Sequence, residues 1–175
     1  MADTEILYEG DYLRLQRIDT WEFVDRINAR GAVVIVAVTP DDELLMVEQP
    51  RPALGGPVLE LPAGLVGDIA GEEDEALAVA AARELEEETG YRPARLEYMT
   101  AGPPSAGLSG ETQWFYRAHD LARVGPGGGD DSEDITVHAV ALDRIDDWLA
   151  ARETEGLPVD PKIYTGLYFI RRERG

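Results

Sequence analysis

Three glutamates near residue 85 have the spacing of a metal-binding face. Glu84, Glu87 and Glu88 stand at i, i+3 and i+4 within RELEEETG, residues 83–90. In a helix these positions lie side by side. Three hard oxygen donors converging on one point suit Mg²⁺ or Mn²⁺ rather than a soft metal. Glu86 points away from them. The placement is electrostatically awkward. The preceding EEDEALAVAAA is rich in helix formers, and Gly90 is a natural stop. The glutamates therefore crowd a helix C-terminus, where the backbone already carries partial negative charge. A divalent cation would turn their mutual repulsion into coordination. The alternative is an acidic helix end facing solvent, as charge runs commonly are.

The elements around this helix follow from pattern. Ala78, Ala81 and Leu85 share an arc that reads as its buried face. Upstream, YLRLQRI and TWEFVDRI alternate apolar and polar residues on either side of a turn, and read as two strands of an N-terminal hairpin unit. GAVVIVAVT (31–39) reads as a buried strand, TPDDE as a turn and LLMVEQ as the next strand. RPALGGP (51–57) is a loop and VLELPAG (58–64) a short strand. After the helix, RLEYMTAG and ETQWFYRAHDL read as strands joined by the flexible PPSAGLSG. The Gly-rich acidic GPGGGDDSED (125–134) leads into a strand, DITVHAVAL. Two helices close the chain, with Asp143 expected as one N-cap, and Asp160 with Pro161 opening the other. Trp114 and Trp148 fall inside strand and helix patterns and read as structural. Strands dominate, with helices at intervals, which predicts an α+β fold: a mixed sheet packed against helices.

Composition narrows the partners. The chain has 175 residues, enough for one real core, and a formal net charge of −19. Such an excess of acid disfavours a nucleic-acid polymer or an anionic membrane as partner. A small anionic ligand stays possible where metal ions or a few arginines neutralise it. Without cysteine there is no disulfide or thiolate chemistry, and two histidines are too few for a histidine-based metal site. MADTEILYEG is acidic and lacks an apolar core, so no signal peptide is read there, and the expected location is cytoplasmic.

Arg83-Glu84-Leu85-x-Glu87-Glu88-x-Gly90-Tyr91 resembles the C-terminal half of the Nudix box of the Nudix hydrolases, without a break. Glu75 stands where the family's first glutamate does relative to Arg83. Ten residues separate Gly64 from Glu75, more than the family pattern has, so GDIAGEED reads as a loop insertion. That leaves the role of Gly64 open, and with it those of Glu72, Glu73 and Glu75. The resemblance implies the Nudix fold, divalent metal, and cleavage of a nucleoside diphosphate linked to another moiety. It implies that Glu84 and Glu88 ligate metal, with Glu87 a third or water-mediated ligand and the Ala63 carbonyl contributing. Arg83 would orient a neighbouring glutamate.

Over most of the chain the sequence resembles the ADP-ribose pyrophosphatase branch. That resemblance implies roles for further residues. Arg51, in VEQPRP, would contact the substrate phosphates; the alternative is a surface arginine. Gly107 and Glu111, in SAGLSGET, would belong to a loop over the terminal ribose; the alternative is an ordinary hairpin loop. Glu133, in DDSEDITVHAV, would help activate water from a mobile loop; the alternatives are a solvated linker, with a carboxylate of the metal cluster as base. Trp21 would stack on the base; the alternative is a hairpin tryptophan. The branch also implies a homodimer formed through an N-terminal β unit (1–30), followed by the Nudix domain (31–175). The reaction expected is hydrolysis of ADP-ribose to AMP and ribose 5-phosphate. Other nucleotide sugars or dinucleotides (GDP-mannose, UDP-glucose) and a non-catalytic nucleotide-sugar sensor are the rivals.

Overall fold

Valine and isoleucine fill residues 33–36, and β-branched side chains in an unbroken run favour a strand covered on both faces. A computed structural model describes residues 3–67, 71, 76–129 and 133–175 and places that run at its centre. In chain order the strands are β1 (Glu5–Glu9), β2 (Leu13–Ile18), β3 (Trp21–Arg26), β4 (Ala32–Ala37), β5 (Glu43–Arg51), β6 (Gly56–Glu60) and β7 (Ala63–Leu65). Helix α1 (Leu77–Thr89) follows, then β8 (Tyr91–Gly102), β9 (Gln113–Arg123) and β10 (Thr136–Ala141). Helices α2 (Ile145–Thr154) and α3 (Lys162–Arg174) end the chain.

The strands form three sheets, ordered β1-β2-β3, β10-β5-β6 and β7-β4-β9-β8. The last is mixed, because β4 runs parallel to β9 and antiparallel to β7. Successive β4 side chains enter two different cores. Val34 and Val36 join Leu59, Leu61 and residues of α2 and α3, including Leu149, Ile163 and Leu167. Val33, Ile35 and Ala37 join Ala80, Ala81 and Leu85 of α1. Helices thus cover both sides of the strands. The burial of Leu85 alone is worth about 1.5–3 kcal/mol. Each like-charge pair on a helix costs only about 0.2–0.5 kcal/mol. Packing therefore outweighs the repulsion among exposed glutamates of α1.

Several expectations need correction. The N-terminal unit has three antiparallel strands rather than two, because Glu5–Glu9 pairs with β2. Ala78 is exposed, and Leu77 beside it packs against the core instead. The buried arc comprises Ala80, Ala81, Leu85, Glu88 and Thr89. Asp143 does not cap α2: the boundary residue is Arg144, with no side-chain cap bond. At α3, Pro161 is already helical (φ −55°, ψ −19°), and Asp160 Oδ1 accepts the Lys162 N–H at 2.8 Å, as an N-cap carboxylate does. Trp148 packs partly against the α2–α3 core and Trp114 against the other. Glu72, Glu73 and Glu75, with most of the insertion, lie outside the described residues. No helix among the described residues is long and apolar enough to cross a membrane.

Candidate active site

The turn from β6 into β7 faces the C-terminal half of α1, and a pocket of about 470 Å³ opens between them. Ala63, Gly64, Glu84, Glu88, Arg51, Glu111 and Glu133 all line it. Six of these were candidates by sequence, drawn together from positions up to 82 residues apart in the chain, Arg51 to Glu133. The pocket also holds residues that sequence reasoning missed: Arg26, Gln49, Glu60, Gln113 and Lys162.

Glu88 is the buried member, 2% exposed. Among the described residues its carboxylate accepts one hydrogen bond, from the Ala63 N–H at 3.0 Å. Burial pushes its pKa up to about 9; the neighbouring Glu84 and Glu133 carboxylates push the same way, and the Ala63 N–H and Arg51 oppose them. Glu84 lies directly over β7. A Cβ built on Gly64 would overlap the Glu84 carboxyl group, so only glycine lets the carboxylate rest on the strand. This contact gives Gly64 its role. Arg83 Nη1 bonds Glu84 Oε1 at 2.7 Å and Glu87 Oε2 at 3.3 Å, and its Nη2 reaches the Leu65 carbonyl at 3.4 Å.

Glu87 departs from the expected convergence. Its side chain is half exposed, turned to Arg83, and does not line the pocket. Among the described residues no three His, Cys, Asp or Glu side chains are grouped to hold a metal ion. What α1 offers the pocket is two adjacent carboxylates, Glu84 and Glu88. That donor set fits Mg²⁺ or Mn²⁺, which bind through one or two carboxylates and complete their shells with water and substrate phosphate. The Gly64 cradle and the buried Glu88, poorly solvated without a cation, support the same fit. Glu86 takes no part; Arg92 grips it with two bonds of 2.7 Å and holds its pKa low.

The glycine-rich segment after β9 finishes the helix. Gly128 N donates to the Glu88 carbonyl (2.8 Å) and Gly129 N to the Glu87 carbonyl (3.0 Å), supplying partners that the last turn lacks. Gly90 and Gly127 both have positive φ, and their backbones touch too closely for any Cβ. Glu133 then folds back over Gly129, its carboxylate filling the space of a missing side chain.

On the opposite wall, Arg51 Nε bonds Glu60 Oε2 at 2.7 Å, and Glu60 is only 8% exposed. Glu111 takes Arg26 Nε at 2.6 Å and Gln113 Nε2 at 3.3 Å. Lys162 sits in the first turn of α3 beside Asp160. A cation at a helix N-terminus is disfavoured, the mirror of the α1 problem, and that signal could have flagged it. Arg26 and Gln49 carry no comparable local signal. Trp21 and Gly107 lie against each other, since a Gly107 Cβ would stand 3.9 Å from Trp21 Cζ2, but neither lines this pocket.

Known proteins resemble this chain in sequence and in fold. The chain is 32% identical over 148 residues to a methanol dehydrogenase activator of Bacillus methanolicus, covering 80% of this chain and 77% of that protein. It is 32% identical over 190 residues to an ADP-sugar pyrophosphatase of Mus musculus, covering 94% and 84%. The fold matches a crystal structure of an ADP compounds hydrolase with a TM-score of 0.75 at 19% identity, over 97% of this chain and 90% of that one. The NUDIX domain family matches residues 28–160. The carboxylate pair on α1, the fold around it and these matches agree: the chain belongs to the NUDIX domain family and is a Nudix hydrolase.

Proposed function

We propose that the chain hydrolyses the diphosphate bond of ADP-ribose, or of a closely related nucleotide sugar, with Mg²⁺ or Mn²⁺ as cofactor. The observation that carries the reading is one pocket holding the Glu84–Glu88 pair together with Arg51. Acidic groups for a cation and a guanidinium for phosphate are the two things a diphosphate needs. The likeness to the mouse ADP-sugar pyrophosphatase supports the choice of substrate.

In this reading Glu84 and Glu88 hold the metal, with the Ala63 carbonyl beside them. The bound ion supplies charge neutralisation and acidifies the attacking water. Arg83 keeps Glu84 aimed at the pocket, and Glu87 serves at most through water. Arg51, anchored by Glu60, clamps the diphosphate. Glu133 accepts the proton of the water as it attacks phosphorus. Glu111 belongs to the wall over the terminal sugar; Gly107 and Trp21 lie together outside that pocket, and in this reading they meet the parts of the nucleotide sugar that extend beyond it, Gly107 at the terminal ribose and Trp21 stacked on the base. Trp21 is 61% exposed on a sheet that also exposes Ile6, Tyr8, Tyr12 and Leu13. These side chains are spread over both faces, Trp21 with Ile6 on one and Leu13 with Tyr8 on the other; that much exposed apolar surface supports pairing of residues 1–30 with a second copy, in a homodimer. The expected setting is the cytoplasm.

The test is phosphate release, coupled to a phosphatase, over a panel of nucleotide sugars with and without Mg²⁺. ADP-ribose should be the best substrate and give AMP and ribose 5-phosphate. Glu84→Gln should lower turnover by about a hundred-fold or more while the fold persists. Wild-type turnover by this variant at saturating Mg²⁺ overturns the reading.

A further inference from the structure

The 105–112 loop is fastened to the N-terminal sheet by hydrogen bonds that no sequence motif marks. Val24 N donates to the Leu108 carbonyl at 2.8 Å, and Gly110 N reaches the Val24 carbonyl at 3.3 Å, so the loop runs along the free edge of β3 as a short parallel bridge. The side chain of Asp25 completes the junction. Its Oδ1 accepts the Gly110 N–H at 3.1 Å, and its Oδ2 accepts Gln16 Nε2 at 2.6 Å. Gln16 is itself buried, at 9% exposed. The fit is tight enough that a Cβ on Gly110 would overlap Asp25 Oδ1. One residue beyond Gly110 stands Glu111, which faces the diphosphate pocket.

We propose that Asp25 is a positioning residue for the substrate pocket: by gripping Gly110 from β3, it sets where Glu111 stands. The N-terminal sheet then shapes the pocket of its own chain, apart from any contact it makes with another copy. The carboxylate is well suited to the task. It receives a donor on each oxygen, and hydrogen bonds to a charged acceptor are stronger than neutral ones. This inference rests on the hydrolase reading for its kinetic consequence but not for its structural one.

Two measurements on the full chain test it. Amide hydrogen exchange in the absence of substrate should show Gly110 and Val24 protected in the wild type, released in Asp25→Ala and restored in Asp25→Asn. Asparagine keeps an acceptor for Gly110, and Gln16 can turn its amide to meet the new N–H₂. In steady-state hydrolysis of ADP-ribose, Asp25→Ala should raise KM about ten-fold, with kcat within about two-fold, and Asp25→Asn should recover most of the loss. Unchanged Gly110 exchange in Asp25→Ala overturns the proposal whatever the substrate proves to be. Released exchange with an unchanged KM overturns the link to the pocket. Should Asp25→Ala not fold, Gly110→Ala, whose methyl must push Asp25 aside, gives the same two readouts and is judged by the same outcomes.

Discussion

Replacing Glu88 by glutamine should make the metal-free protein more stable, even though it removes a residue at the centre of the site. The carboxyl is buried, with its pKa lifted from 4.5 to about 9. Between those values the folded state binds more protons at this group than the unfolded state does. Stability therefore falls as pH rises through that window, is unpenalised below pH 4.5, and levels off above about pH 9. Near pH 8 the ceiling on the penalty is about 5 kcal/mol, at 1.36 kcal/mol for each pH unit above the unfolded value. Water entering the open pocket relaxes part of it, and about 2 kcal/mol is a reasonable remainder. Glutamine carries no charge and keeps an oxygen for the Ala63 N–H. In a thermal melt with chelator near pH 8, Glu88→Gln should thus melt roughly 4–8 °C above the wild type. Near pH 5 the gap should shrink to about 1 °C or less. Added Mg²⁺ should raise the wild-type midpoint, because a cation favours the ionised form, and raise that of the variant, which keeps only Glu84, by less. A variant that melts below the wild type near pH 8, or a gap that does not change with pH, refutes the reasoning.

Two further substitutions probe the walls of the pocket. Gly64→Ala places a methyl where the Glu84 carboxyl lies; it should cost about 1–3 kcal/mol in denaturant unfolding and abolish the thermal shift with Mg²⁺. Glu60→Gln loosens the anchor of Arg51; KM for the nucleotide sugar should rise about five-fold or more with kcat little altered, measured by coupled phosphate release.

The helix and its carboxylates were legible because they depend on local geometry. Spacing along RELEEETG determines which glutamates share a side, and Gly90 marks the stop. Their order of burial follows from the wheel too: Glu88 stands seven residues after Ala81, on the arc of Leu85, and Glu87 is turned away from it. The contacts that hold them were not legible, since the Ala63 N–H on Glu88 comes from the distant β6–β7 turn. The two-sided burial of β4 could be read from AVVIVA, but its parallel pairing with β9 could not, since that depends on a partner about 80 residues away. Strand β1 was missed because EILYE is short and flanked by acid. Gly64 and Glu60 gained meaning only from contacts with Glu84 and Arg51, which the chain's linear order keeps apart.

Gly128 and Gly129, in the glycine tract after β9, serve two parts of the site at once. Their amides terminate α1, and the Glu133 side chain fills the space that Gly129 leaves. Transplanting a longer or bulkier version from a relative, in a chimera meant to retune the reaction, would tug on the carbonyls of Glu87 and Glu88 before it moved the distal carboxylate. Engineers who vary that tract should expect to vary cation affinity along with it.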